Sequence, residues 1–197
     1  IIGRTEDIQW MLDAVPNKHN GLTYCAGSFS AGEHNDCVAM AKQFADRTHF
    51  VHLRSCHIFP NGNFTEASHL GGRGDLIELC RIFEQAEKDG KCNSGRRLPM
   101  RVDHGMTFTD EPGGVFDESN HGHNAGYTLL GRMFAMGQIQ GVLATVDREL
   151  KLNEQVKALE DELRRLPQAA SEVADIQAAI YTLMKSEAEE LDGIMAQ

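Results

Sequence analysis

Along the first three quarters of the chain, apolar positions switch repeatedly between helical and strand spacing. Ile8, Met11, Leu12 and Val15 share one face at a 3.6-residue period over Thr5 to Val15, and Pro16-Asn17 stops that helix. Gly21 to Ser28 (GLTYCAGS) reads as a strand entering a loop of small residues. Side chains alternate across a strand, so Thr23 and Cys25 share one face and Leu22 and Tyr24 the other. Cys37 to Phe44 is a second amphipathic helix, which Asn35 or Asp36 can cap. His49 to Ser55 is a second strand, with Phe50, His52 and Arg54 on one face. A polar loop from Cys56 to Gly72 contains Glu66 and His69. Asp75 to Lys88 predicts a third helix with Leu76, Leu79, Cys80 and Phe83 as its apolar stripe. Leu98 to His104 predicts the third strand. A Gly-rich, acidic loop from Gly105 to Gly126 exceeds the usual connection length, a class rich in functional lids. Thr128 to Leu150 predicts a fourth helix.

One helix followed by three strand–helix units implies a parallel sheet with right-handed crossovers. Three strands are too few to close a barrel, and parallel sheets seldom leave their edges open, so these units read as part of a larger α/β architecture. From Leu152 the pattern changes. Leu152, Val156, Leu159, Leu163 and Leu166 follow a heptad rhythm that Pro167 breaks, and Val173, Ile176, Ile180 and Leu183 resume it. The expectation is a domain over residues 1–150 and a helical hairpin or coiled-coil-like tail over 151–197. Two ordinary amphipathic helices are the alternative.

Composition narrows the function classes. At 197 residues, with 41% hydrophobic and 24% charged, the chain has the makings of a folded soluble protein. A formal net charge of -10 argues against a nucleic-acid partner, because basic patches supply most of that affinity. No apolar run approaches the ~20 residues of a membrane span. The chain opens at Ile1 without a secretory-signal pattern. Five cysteines, odd in number and without CxxC pairing, read as reduced thiols in a cytoplasmic setting.

The chemistry gathers at the strand ends. Arg101-Val102-Asp103-His104-Gly105 delivers a carboxylate and an imidazole side by side, and ligands of α/β folds bind beyond the carboxyl ends of parallel strands. Cys25, His52 and Asp103 all stand at such ends, and their thiolate, imidazole and carboxylate are competent ligands for a divalent transition metal. Their wide separation in sequence means that the fold, not a local loop, would hold the ion. Singly, each has a bland alternative, since a buried cysteine is commonly a small hydrophobe and a strand histidine a satisfied core group.

The segments Thr-Tyr-Cys-Ala-Gly-Ser, Phe-Val-His-Leu-Arg, Val-Asp-His-Gly and Gly-Tyr-Thr-Leu-Leu-Gly-Arg, in this order, resemble the C-terminal half of mannonate dehydratases. The resemblance covers residues 1 to 148 or so. It implies the C-terminal part of a (β/α)8 TIM-type barrel of the xylose-isomerase-like group, about three parallel βα units, followed by a helical tail. It further implies a hydro-lyase that converts D-mannonate to 2-keto-3-deoxy-D-gluconate in hexuronate (glucuronate) catabolism, as a homo-oligomer. Cys25, His52 and Asp103 would be metal ligands for Mn²⁺ or Fe²⁺, and His104 and Tyr127 the acid–base pair. Arg54 and Arg132 match motif positions and would bind substrate. Arg54 shares a strand face with His52, and either clamps a substrate carboxylate through a bidentate pair or sits in an internal salt bridge. His69 can reach the site from its loop, although an exposed loop histidine is the default reading.

Two departures set limits on the resemblance. The family's upstream strands, which would carry a further histidine ligand, have no counterpart in this chain, and the tail after Leu150 matches nothing familiar. The expectation is that the isolated chain binds metal weakly and is catalytically incompetent, while a longer parent is active. A metal-dependent sugar isomerase of the same barrel group, and a non-catalytic fragment assembling through its tail, are the competing readings.

Overall fold

A computed structural model of the chain describes residues 2–108, 125–165 and 170–195. The elements in order are α1 (Thr5–Ala14), β1 (Leu22–Cys25), α2 (Ala26–Ser30), α3 (Cys37–Phe44), β2 (Thr48–Leu53), β3 (Cys56–Ile58), β4 (Phe64–Glu66), α4 (Leu76–Lys88), β5 (Met100–Val102), α5 (Leu129–Arg165) and α6 (Ala170–Met195). Strands β1, β2 and β5 form a parallel sheet in that order, so neighbours in space follow one another along the chain as in a sector of a (β/α)8 barrel. β3 and β4 form a separate antiparallel ribbon.

Alternation decides which face of the sheet is buried. Leu22 and Tyr24 of β1 and Val51 and Leu53 of β2 point into the core, where they join Met40, Ala41 and Phe44 of α3 and Leu79, Cys80 and Phe83 of α4. Tyr24 packs edge-on against Phe83 and gives its hydroxyl proton to the Cys37 carbonyl, so the largest core aromatic leaves no polar atom unpaired. Burial pushes the Cys80 thiol up to about 12 and the Cys37 thiol up to about 11. All five cysteines are free, as reduced thiols require. Asp36 caps α3 by accepting from the Ala39 amide, and Asp75, at a φ of 42°, caps α4 by accepting from Glu78.

Several elements differ from expectation for identifiable reasons. The third strand is only Met100–Val102, because Pro99 has no N–H and contributes just its carbonyl, to Val51. The small residues after Cys25 coil into α2 instead of a loop. The polar stretch after Cys56 contains the β3–β4 ribbon, turned at Pro60-Asn61-Gly62-Asn63 with Gly62 at a φ of 82°. α5 does not end at Leu150 but runs to Arg165, since no Pro or Gly lies between them. The chain divides into two compact units, Ile1–Val146 and Asp147–Gln197, with the division inside α5. In the second unit the heptad positions Leu152, Val156, Leu159, Leu163, Val173, Ile176, Ile180 and Leu183 are half-buried between exposed neighbours. Most of the acidic loop, residues 109–124, and the Pro167 break lie outside the described residues. Among the described residues no helix is long and apolar enough to cross a membrane.

Candidate metal centre

Parallel register builds the site. Cys25, the last residue of β1, pairs directly with His52 of β2, and the Asp103 amide just beyond β5 donates to the Leu53 carbonyl at 3.0 Å. Three side chains that are distant in sequence thus end on the outward phase of adjacent strand tips. One ligand atom from each of Cys25, His52 and Asp103 lies within 4.8 Å of the others. His52 Nδ1 and Asp103 Oδ2 are 3.8 Å apart, too far for a hydrogen bond but a natural gap for one ion with bonds of ~2.0–2.3 Å.

The surroundings suit cation binding. Ser28 Oγ donates to Cys25 Sγ at 3.1 Å, which orients the sulfur at the strand tip. The two oxygens of Asp103 are differently employed. Oδ1 accepts from Arg101 Nη2 at 2.6 Å and from the Tyr127 hydroxyl at 2.8 Å, while Oδ2 faces His52 Nδ1 and His104 Nε2, each at 3.8 Å. Burial pushes the Asp103 carboxyl up, but the bonds from Arg101 and Tyr127 and the nearby imidazoles outweigh it and hold the group below its usual range. Burial also lowers His52, against the pull of Asp103, which leaves the imidazole neutral with a lone pair to give. A carboxylate, a neutral imidazole and a thiol at one point are a fitting donor set for a first-row divalent ion.

A second ring of residues comes from the ribbon and from the segment leading into α5. Glu66, at the end of β4, accepts from Arg54 Nε at 2.9 Å and Nη2 at 2.6 Å, so Arg54 lies in the internal salt bridge with both arms of its fork engaged. Glu66 Oε1 also lies 2.9 Å from His104 Nδ1. The His104 ring packs against the Tyr127 ring, with centroids 4.5 Å apart. Arg132 lies over that Tyr127 ring at 5.4 Å, and its Nε is buried without a partner among the described residues. Two glycines leave room for these groups: a Cβ on Gly27 would meet Arg54 Cδ at 2.2 Å, and one on Gly126 would meet the His104 ring at 2.6 Å.

His69 corrects the expectation of an exposed loop histidine. It is only 2% exposed, and its Nε2 lies 2.8 Å from the same Leu53 carbonyl that takes the Asp103 amide. Its backbone N–H donates to Gln138 Oε1 of α5 at 3.0 Å. Glu66 and Arg101 were also beyond the functional reading of the sequence. The hairpin turn Pro-Asn-Gly-Asn after Cys56-His57-Ile58 was the signal that could have led to Glu66.

The profile of the family D-mannonate dehydratase (UxuA) matches residues 1–153. Mannonate dehydratase 2 of Agrobacterium fabrum is 37% identical over 78% of this chain, and the mannonate dehydratase of Saccharophagus degradans is 36% identical over 75% of it. The chain spans 37% and 36% of the lengths of these two relatives. The crystal structure of mannonate dehydratase from Streptococcus suis serotype 2 shares the fold, with a TM-score of 0.60 and 22% identity over 77% of this chain and 39% of that one. The chain belongs to the D-mannonate dehydratase family.

Proposed function

We propose that this segment supplies the metal-holding and acid–base half of a hydro-lyase site, in a protein that dehydrates D-mannonate to 2-keto-3-deoxy-D-gluconate in hexuronate catabolism. The observation that carries the reading is the meeting of Cys25, His52 and Asp103 at the strand tips, with His104 and Tyr127 in contact beside them. Cys25 Sγ, His52 Nδ1 and Asp103 Oδ2 would hold Mn²⁺ or Fe²⁺. When bound, such an ion supplies Lewis acidity toward the substrate's carboxylate and C2 oxygen, making the C2 proton easier to remove.

The chain's own groups handle the protons. Dehydration removes the C2 proton and expels the C3 hydroxyl, and the enol so formed tautomerises to the 2-keto acid. His104 and Tyr127 divide the two proton transfers. Burial and the Asp103 carboxylate raise the Tyr127 phenol, so it carries a proton to give to the leaving hydroxyl, and His104 is the partner that accepts. Arg132, with its unpartnered Nε, is the residue we assign to the substrate anion, since the Arg54 fork is held by Glu66. The reduced thiols suit a cytoplasmic protein.

The 197-residue chain alone is expected to bind metal weakly and not to turn over. The test compares it with a family-length protein carrying the same residues, each given Mn²⁺ and D-mannonate, with 2-keto acid measured. Product is expected only from the longer protein, and only while Asp103 is intact. Substantial product from the short chain would refute its incompetence, and none from the longer protein would refute the reaction.

A further inference from the structure

The ribbon has no place in the parallel sheet, yet its register of Cys56↔Glu66, His57↔Thr65 and Ile58↔Phe64 returns the chain so that Glu66 lands beside Arg54 and His104. We propose that Glu66 is a positioning residue: it fixes His104 in the Nδ1–H tautomer and thereby makes Nε2 the nitrogen that accepts the substrate proton. The last clause rests on the dehydratase reading, whereas the tautomer does not.

The geometry admits one proton arrangement at this contact. Glu66 receives two bonds from the Arg54 guanidinium, one to each carboxylate oxygen, which pairs it with a cation and fixes its plane. An ionised carboxylate only accepts, so a bond between Glu66 Oε1 and His104 Nδ1 at 2.9 Å requires the hydrogen on Nδ1. With the hydrogen on Nε2 instead, the Nδ1 lone pair would face the carboxylate, and Nε2–H would have Asp103 Oδ2 at 3.8 Å, beyond bonding range. Exchanging a charge-assisted bond for that repulsion favours the Nδ1–H form by at least about tenfold. The Arg54, Glu66 and His104 side chains are 12%, 15% and 14% exposed, so little water competes.

The neutral ring therefore presents its Nε2 lone pair beside Asp103 Oδ2, the oxygen that also faces His52. A base nitrogen next to the cation-facing oxygen is where a C2 proton on a metal-held hydroxy acid would have to be met. The same division of labour, a carboxylate holding one ring nitrogen so that the other can act, orients the histidine of serine hydrolases. Gly27 and Gly126 belong to the device as spacers, since a side chain on either would displace Arg54 or His104.

The experiment is a long-range ¹H–¹⁵N spectrum of the metal-free 197-residue chain labelled at histidine nitrogen, at about pH 8.5, where imidazoles are neutral. The His104 signals are identified by their loss in His104→Gln. The wild-type ring is expected to show a protonated Nδ1 and a bare Nε2, and Glu66→Gln and Glu66→Ala are expected to move it toward the Nε2–H form that free histidine favours. A wild-type ring already in the Nε2–H form overturns the proposal, and that spectrum suffices even if the variants fail to fold. An unchanged tautomer in a folded Glu66 variant overturns it equally. In a family-length enzyme, Glu66→Gln should lower kcat by about 100-fold with little change in KM. The expected tautomer in a protein whose longer form never dehydrates mannonate would sink the reaction while leaving the tautomer assignment standing.

Discussion

The strand tips and the ribbon meet in one site but hold their residues by different means. Cys25, His52 and Asp103 are placed by backbone: the pairing of Cys25 with His52 and the Asp103 amide on the Leu53 carbonyl fix their Cα positions through the parallel ladder. Glu66 is brought there by the short β3–β4 ladder, and it and His69 are joined to those tips by side-chain bonds, Glu66 through Arg54 and His104, His69 through the Leu53 carbonyl. The ladder decides which groups meet. The ribbon and the loop behind it decide which atom of each group faces which neighbour. Damage to the first should remove a ligand outright, while damage to the second should leave the ligands in place and loosen their aim.

The largest effect is therefore expected at the tips. Asp103→Asn removes the one anionic oxygen that faces His52, and saturable Mn²⁺ binding by the chain, followed by electron paramagnetic resonance, should fall by about 100-fold or disappear. Cys25→Ser should do the same, and metal content that is unchanged in this variant would take Cys25 out of the ligand set. Thiol chemistry gives a second view of the same residue. Cys25 is half-buried while the other four cysteines are buried, so one thiol per native chain should react quickly with a disulfide reagent and four only on unfolding. Saturating Mn²⁺ should slow that single fast thiol. Two or more fast thiols in the native chain would contradict the burial on which the assignment rests.

A smaller effect is expected where the ring is aimed. The Cβ of Gly126→Ala would stand 2.6 Å from His104 Nδ1, 2.7 Å from its Cβ and 2.8 Å from its Cγ, so the whole His104 side chain must shift and its contact with Glu66 is disturbed. In a family-length enzyme this should cost roughly tenfold in kcat, a misplacement penalty at the low end for general acid–base groups, with metal content unchanged. Loss of metal along with rate would mean that ladder and ribbon are not separable as argued.

The same contrast explains what was readable from sequence. The tips were legible because each ends a run whose alternation fixes the outward phase, so Cys25, His52 and Asp103 could be grouped before any geometry was known. Arg54 was placed on the His52 face, but it lies one residue beyond β2, where the returning ribbon puts a carboxylate into its fork. Glu66 carried too little pattern to stand out, since three-residue strands are too short for alternation to register. His69 looked exposed because its partners, the Leu53 carbonyl and Gln138, come from distant elements that no local spacing reveals. α5 looked like two elements because the heptad rhythm begins at Leu152, yet a change of apolar period without a breaker does not end a helix.

The smallest expected effect is the acid sensitivity that His69 lends the fold. Burial holds its pKa below the ordinary 6.5, opposed by the Leu53 carbonyl and by the Glu66 and Asp103 carboxylates. Its Nδ1 has no partner among the described residues, so a proton added there would gain no acceptor. The unfolded chain protonates this histidine as pH drops through about 6.5, while the folded chain resists until lower pH. The contribution to stability is therefore complete above 6.5 and is lost as pH falls toward the folded value. His69→Gln keeps an amide donor for the Leu53 carbonyl but does not titrate. The variant should melt below wild type at pH 7.5, and the gap should narrow by a few degrees at about pH 5, because only the wild type pays a protonation cost at this position. Parallel melting curves across that range would mean that His69 titrates alike in folded and unfolded chains, and that the loop holding it opens more readily than its burial implies.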